Sequence, residues 1–377
     1  NKKNTNNDAN SGLPEIAVDS NNNVHIVWND ARTGNDEIFY SKLDEEGNFL
    51  VENTQLTHMV EESSTADLAI DSTNNIHVVW EDRRTGGVQI YYMKLNNDGV
   101  KLVNDTQITY AGASDYSSII TDPQDDLHVT WHDHRHEIHL YYLKLDNNGV
   151  PIGEEKKLTP DNHLVHAHDT TVDDSGNIHL IWQFNQGSVS ELYYKKLNNS
   201  GDTLITTNNI TTNAKVRGYP SISHMDGELH VAWFSDKDVN YEVYYALLDL
   251  FGTKRVDDTR LTFNQERSDT THISAQDGVV AIVWRDQKDG NPEIYFKTKS
   301  NKTNSPPIIS DLQPNNTTNA SIFPLLSWNA YDPDNDTLEY TLTLALDSNF
   351  TTLLINETVQ IEQFQAENLN YSTTYYW

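Results

Sequence analysis

Between residues 11 and 300 the chain alternates short apolar runs with polar clusters, and the whole pattern recurs about every fifty residues. The clearest runs are "VHIVW", "IHVVW", "LHVTW", "IHLIW", "LHVAW" and "VAIVW". They end at Trp28, Trp80, Trp131, Trp182, Trp233 and Trp284, which lie 52, 51, 51, 51 and 51 residues apart. Each is too short for a helix and rich in β-branched residues, so it reads as a strand. A strand such as "EIAVD" precedes it across an Asn/Asp/Ser/Gly turn ("SNNN", "DSGN"), whose residues tolerate positive φ or bond their own backbone. A polar loop follows, then a third strand: "EIFYSKL", "QIYYMKL", "HLYYLKL", "ELYYKKL", "EVYYALL" or "EIYFKTK". A Gly-bearing turn opens a fourth strand ending in "QLT", "QIT", "KLT", "NIT" or "RLT". No stretch reads as a long amphipathic helix.

Four short antiparallel strands per repeat, six times over, predict an all-β chain: a six-bladed β-propeller with four-stranded blades across residues 1–300. The sixth repeat stops after its third strand, at Ser300, which would leave an unpaired edge. Counting back from the tryptophans, "NKKNT" (residues 1–5) falls in register with "NTQLT" (residues 53–57). Residues 1–5 are therefore expected to close blade six as its outer strand. The pattern resembles secreted prokaryotic propellers of the sialidase-like and NHL-like kind. That resemblance implies that the "IAVD" strand lines a central channel and the "QLT" strand is outermost. Residues 301–307, within "SNKTNSPP", read as a linker. Residues 308–377, with "LLSWNAYDPDNDTLEYTLTLALD" and "STTYYW", resemble a fibronectin type III-like domain, a β-sandwich that is incomplete here, so the chain is expected to be a fragment of a longer protein.

Composition narrows the partners. Fifty-six acidic residues against 26 basic ones give a formal net charge of −30, which argues against nucleic acid and anionic membrane surfaces and favours cations. There is no cysteine, hence no disulfide framework and no thiolate zinc site. No apolar run approaches the ~20 residues of a membrane span, and nothing suggests an organic cofactor. Acceptor triplets N-x-[ST] occur at Asn104, Asn198, Asn209, Asn301, Asn315, Asn316, Asn319, Asn335, Asn349, Asn356 and Asn370. They fit an extracellular or cell-surface glycoprotein.

Four sets of residues invite a chemical reading. The histidine three residues before each tryptophan (His25, His77, His128, His179, His230, with Ala281 in the sixth repeat) recurs too often for a ligand site, and is expected to be packed and bonded between neighbouring sheets. The W-x-D-x-[RK] pairs Asp30/Arg32, Asp82/Arg84, Asp133/Arg135 and Asp286/Lys288 are expected to cap the second-to-third strand loop. Sialidase chemistry would need convergent arginines, and the Asp-box spacing is absent. "WHDHRHEIHLYYLKL" (residues 131–145) adds His132, His134 and His136 to the repeat, and "HLVHAHD" brings His163, His166 and His168 in the adjoining loop. His132, His134, His166 and His168 could hold zinc or another transition metal. "DPDND" presents Asp332, Asp334 and Asp336 to calcium.

Two functions follow. The favoured one is a noncatalytic extracellular or surface module that binds a ligand, glycan or surface protein, or self-assembles into surface-layer architecture. The alternative is a carbohydrate-active enzyme, a polysaccharide lyase or glycosidase working on the loop face. A lyase would show His, Tyr and Arg converging, with Tyr116 or a histidine as base.

Overall fold

The computed structural model describes residues 5 and 8–377, apart from 136, 162–163, 187–188, 239, 301–305, 316–320, 334–337, 360 and 368. Two compact units result, Asn1–Ser300 and Asn301–Trp377. The described residues of the first form six antiparallel sheets in chain order, five of four strands and a sixth of three. Sheet one is Ser11–Val18, Val24–Asp30, Glu37–Leu43 and Phe49–Gln55. Sheet three is Ser114–Thr121, Leu127–Asp133, His139–Leu145 and Lys156–Lys157; the sixth is Ser268–Gln276, Val279–Asp286 and Glu293–Ser300. Within each sheet the strands pair in sequence order, and the first strands of successive sheets contact one another, so the first strands are innermost. The chain is all-β, and this series of repeated four-stranded sheets is β-propeller architecture. The outer strand expected from residues 1–5 falls almost wholly outside the described residues.

The tryptophans show why the repeat is spaced as it is. Trp80, Trp131, Trp182 and Trp233 are wholly buried between consecutive sheets. One such core joins Val27, Ile38 and Tyr40 of sheet one to Ala66, Leu68, Ile76, Val78 and Trp80 of sheet two. Full burial of each aliphatic side chain is worth about 1.5–3 kcal/mol, so stability resides in the junctions between repeats. Glycine makes the junction close. Gly99 sits at φ +77°, and a Cβ there would lie 2.6 Å from Cε1 of Tyr40 in the preceding sheet. Gly149, Gly201 and Gly252 press on Tyr92, Tyr142 and Tyr194 in the same way.

The repeated histidines are buried, but the expectation that they bond between sheets needs correction. In sheet one the Tyr40 hydroxyl donates to His25 Nδ1 at 2.8 Å, and His25 Nε2 donates to Asp19 at 3.2 Å. His77, His128 and His179 repeat the arrangement with their own Tyr and Asp. The link between sheets is carried instead by an asparagine in a turn of the next sheet: Asn97 donates to Asp19, and Asn147 to Asp71. A histidine ring fits between a strand-three hydroxyl and a carboxylate just past the end of strand one because the sheet already sets those two side by side.

The second unit carries a three-stranded and a two-stranded sheet around Leu326, Trp328, Leu342, Leu344 and Ala366. Asp332 lies in its described part, whereas Asp334, Asp336, Asn301, Asn316, Asn319 and Asn335 fall outside it. Asn104, Asn209, Asn315, Asn349, Asn356 and Asn370 are exposed, and Asn198 is half-buried.

Candidate functional site at the axial mouth of sheets three to five

The repeat is most regular where it is structural, so departures from it locate the site. Three of the four W-x-D-x-[RK] pairs are structural in detail. Arg32 donates to Asp30 through Nε and Nη2, and its guanidinium lies 4.4 Å above the Phe39 ring. Arg84 and Arg135 do the same over Tyr91 and Tyr141. These arginines are held within their own sheets, which removes them from any sialidase-like cluster. Sheets four and five lack the motif and have Phe184 and Ser235 where the aspartate stands.

Two positions build the mouth of the axis. In sheets one and two the residue after the tryptophan reaches the first strand of the next sheet: Asn29 accepts from Thr65 N at 3.0 Å, and Glu81 from Tyr116 N at 2.9 Å. In sheets three to six this position holds His132, Gln183, Phe234 and Arg285. The second position is a left-handed residue (φ 45–53°), at a bulge within the first strand for Leu13, Thr65, Tyr116 and Thr270 and just ahead of the first strand for Tyr219. Such a turn of the backbone re-aims the side chain, and here it leaves Tyr116 and Tyr219 half exposed at 50% and 54%. Sheet four has no left-handed residue at this point. Its register shifts between Val165 and Ala167, which brings His168 against sheet three.

Two of the four proposed ligand histidines meet. His132 Nε2 and His168 Nδ1 are 3.1 Å apart, and His168 Nε2 lies 2.9 Å from Thr130 Oγ1. Burial drives both imidazoles towards the neutral form, His168 to about 3 and His132 well below 6.5. Neutral rings need one donor and one acceptor at each contact. The consistent assignment has Thr130 donating to His168, His168 donating to His132, and the His132 Nδ1 proton facing Asp115 at 3.8 Å. His134 is turned aside to Asp115, 2.9 Å away, and His166 is exposed. His136 and His163 lie outside the described residues. Among the described residues no group of three or more His, Asp or Glu side chains is arranged to hold a metal ion.

Tyr116 completes the cluster, its ring centroid 5.4 Å from that of His132. Burial raises the carboxyls of Asp115 and Glu81, and it raises the Tyr116 hydroxyl with help from Tyr219, Glu81 and Asp115 nearby. Across the mouth, Tyr219 stacks on Phe234 at 6.5 Å and 19°, and Phe234 meets Tyr241 edge-on. Nearby arginines are paired: Arg83 with Glu62, Arg217 with Asp236, Arg285 with Asp269. Together these residues offer two exposed aromatic faces around neutral donors and acceptors, with few free charges.

Sequence reasoning singled out the histidines and Tyr116 but missed Tyr219, Phe234 and the residue after each tryptophan. Comparing that one column across the repeats (Asn, Glu, His, Gln, Phe, Arg) would have exposed it, since it varies while its neighbours do not. Also missed were Glu15, Asp67 and Asp169, thirteen residues before their tryptophans. Asp67 accepts from Ile119 N at 2.8 Å and Asp169 from Ile222 N at 2.8 Å, tying innermost strands together. Burial, then mutual repulsion, raises the Glu15 carboxyl, and burial raises the other two.

No protein-family model matches the chain, and no curated protein matches it in sequence. Solved structures do match in fold. A protein of unknown function from Dyadobacter fermentans has a TM-score of 0.57 at 9% identity, over 78% of this chain and 95% of its own. An ulvan lyase of a new polysaccharide lyase family, bound to -[GlcA(1-4)Rha3S]-, has a TM-score of 0.53 at 10% identity, over 75% and 77%. A Hadza microbial sialidase has 0.53 at 11% identity, over 77% and 66%. At such identities the likeness shows a shared propeller fold.

Proposed function

We propose that the chain is a six-bladed, glycan-binding propeller module of the cell surface or extracellular space, its second unit a fibronectin type III-like spacer. The observation that carries the reading is the pair of half-exposed tyrosines, Tyr116 and Tyr219, flanking the buried neutral His132–His168 pair. Sugar rings present apolar faces and hydroxyl edges. Aromatic platforms cover the faces, and fixed neutral donors and acceptors read the edges. Likeness to propellers that act on polysaccharides supports the same choice of ligand. The test is binding to a panel of neutral, uronate-bearing and sulfated polysaccharides, by affinity electrophoresis and calorimetry. Tyr116→Ala and Tyr219→Ala should each weaken binding about tenfold, the equivalent of roughly 1.4 kcal/mol. Unchanged affinity in both variants would overturn the assignment.

One arrangement favours a second reading, β-elimination on a uronate-bearing chain. Tyr116 stands beside His132, and Arg83 is close enough to influence Asp115 and Glu81. A base would take the proton at C5, the C4–O bond would break, and the departing oxygen would receive a proton, leaving an unsaturated uronate. Tyr116→Phe should then abolish release of unsaturated ends while leaving binding nearly intact. No release from any uronate polymer by the unmodified protein would eliminate this reading.

A further inference from the structure

Two arginines share one carboxylate at the edge of the mouth. Arg285, at the variable position after Trp284, donates to Asp269 through Nε and Nη2 at 2.8 and 2.9 Å, and Arg267 donates to the same carboxylate through Nε. The Asp269 side chain is 1% exposed and also accepts from Thr270 Oγ1, whereas the side chains of Arg267 and Arg285 are 45% and 42% exposed. Elsewhere at the mouth the balance is one to one, Glu62 for Arg83 and Asp236 for Arg217. Two cations on one buried anion leave a unit of positive charge facing water. Among the described residues nothing accepts from Nη1 of Arg285 or from either Nη of Arg267.

The pair borders the Tyr219 platform from two directions. Thr271 Oγ1 donates to the Tyr219 carbonyl at 3.1 Å, which sets Tyr219 beside the strand that carries Asp269. On the other side Tyr219 stacks on Phe234, Phe234 meets Tyr241 edge-on at 5.7 Å, and the Arg267 guanidinium lies 4.2 Å above the Tyr241 ring. A guanidinium laid on an aromatic ring and tied through Nε to a buried carboxylate has given up most of its rotamer freedom before a ligand arrives. Its remaining N–H groups are therefore preorganised, and a planar fork matches the oxygens of a carboxylate or sulfate. Total charge narrows the class further. The chain carries a net charge of −30 and the subsite one unbalanced cation, so a dense polyanion is repelled. An isolated acidic group is screened from charges beyond about 8 Å at physiological salt and meets the arginines at contact.

We propose that Arg267 and Arg285 form an anion subsite beside Tyr219, so that the glycan bound at the mouth is one whose neutral sugars carry isolated carboxylate or sulfate groups. The inference rests on the glycan-binding reading above and names the ligand class within it. The apolar face of one sugar lies on Tyr219, and its acidic substituent reaches the free Nη groups. Asp269 is a positioning residue, which fixes both arginines without touching the ligand.

Calorimetry at physiological salt with three matched tetrasaccharides tests this: a neutral one, the same backbone with one glucuronate, and the same backbone with one sulfate ester. The parent should bind an acidic form about tenfold more tightly than the neutral form, and the tighter of the two arms identifies the group. Arg285→Gln should bring that preference to within about twofold while leaving affinity for the neutral form unchanged, and Arg285→Lys, with the charge but not the fork, should keep part of it. Tyr219→Ala should weaken binding of all three. A measurement that needs no variant is the same comparison at about 1 M salt, where the Debye length is about 3 Å and the preference of the parent should disappear. Equal affinity of the parent for all three, or a preference that survives both Arg285→Gln and high salt, would overturn the anion subsite and leave the glycan reading standing. Binding of none of the three would overturn both.

Discussion

Replacing His77 by phenylalanine should narrow the stability gap between variant and parent by about 2 kcal/mol as the pH falls from 7 to 5. His77 is wholly buried, accepts from Tyr92 at 2.9 Å and donates to Asp71 at 3.2 Å. Burial lowers its pKa from 6.5 to about 4. In the unfolded chain it takes up a proton below 6.5, whereas in the fold it does not until near 4. Its contribution is therefore fully present above pH 6.5 and is lost as pH falls towards 4. At pH 5 the loss is RT ln[(1 + 10^1.5)/(1 + 10^−1)], about 2 kcal/mol. The parent's overall profile cannot isolate this effect, because the raised carboxyls of Glu15, Asp67 and Asp169 work in the opposite sense. At pH 7 the variant should be less stable by about 3 kcal/mol, since two bonds are lost and the Tyr92 hydroxyl and Asp71 are each left short of a partner. On protonation the parent gives up most of that advantage. Urea unfolding at both pH values, with unchanged m, measures the gap. A gap that stays constant would mean that His77 titrates alike in folded and unfolded protein, which would refute the desolvation argument.

Three further outcomes test other parts of the structure. Gly99→Ala should cost about 2–4 kcal/mol, because it combines a left-handed backbone with a Cβ pressed against Tyr40; thermal unfolding would show it, and a loss below about 0.5 kcal/mol would show that the junction is looser than described. Arg84→Ala should cost about 2–3 kcal/mol by leaving the buried Asp82 carboxylate without its cation, and Asp82→Asn/Arg84→Ala should recover part of this. His168→Phe should leave stability within about 2 kcal/mol of the parent while changing the NMR signal and pH response of His132, whose Nε2 would lose its partner.

Much of the architecture was legible because each repeat is locally consistent. A strand of alternating β-branched residues, an Asx-type turn and a left-handed glycine each state their conformation within a few residues, and repetition removes the ambiguity of any single copy. The Asp30/Arg32 caps were legible for the same reason, since both partners lie within one turn. The histidine bonding was misjudged because His25 sits on strand two, Tyr40 on strand three and Asp19 in the turn after strand one, and only the register of the sheet reveals which side chains share a face. The cluster at the mouth was half legible. "WHDHRHEIH" is conspicuous, but which of its imidazoles turn inward depends on the shifted register of sheet four.

The sequence alone therefore determined the period, the strand order, the buried tryptophan column and the tight glycine turns, since all follow from interactions between near neighbours in the chain. Only the tertiary structure decided that His132 meets His168 and not His134 or His166, that Tyr116 and Tyr219 stand open at the axis, and that three inner carboxyls are forced towards their neutral forms. Those outcomes depend on contacts between residues 35 to 53 positions apart, on different sheets, and on how much water each is denied. Spacing along a chain does not encode either quantity.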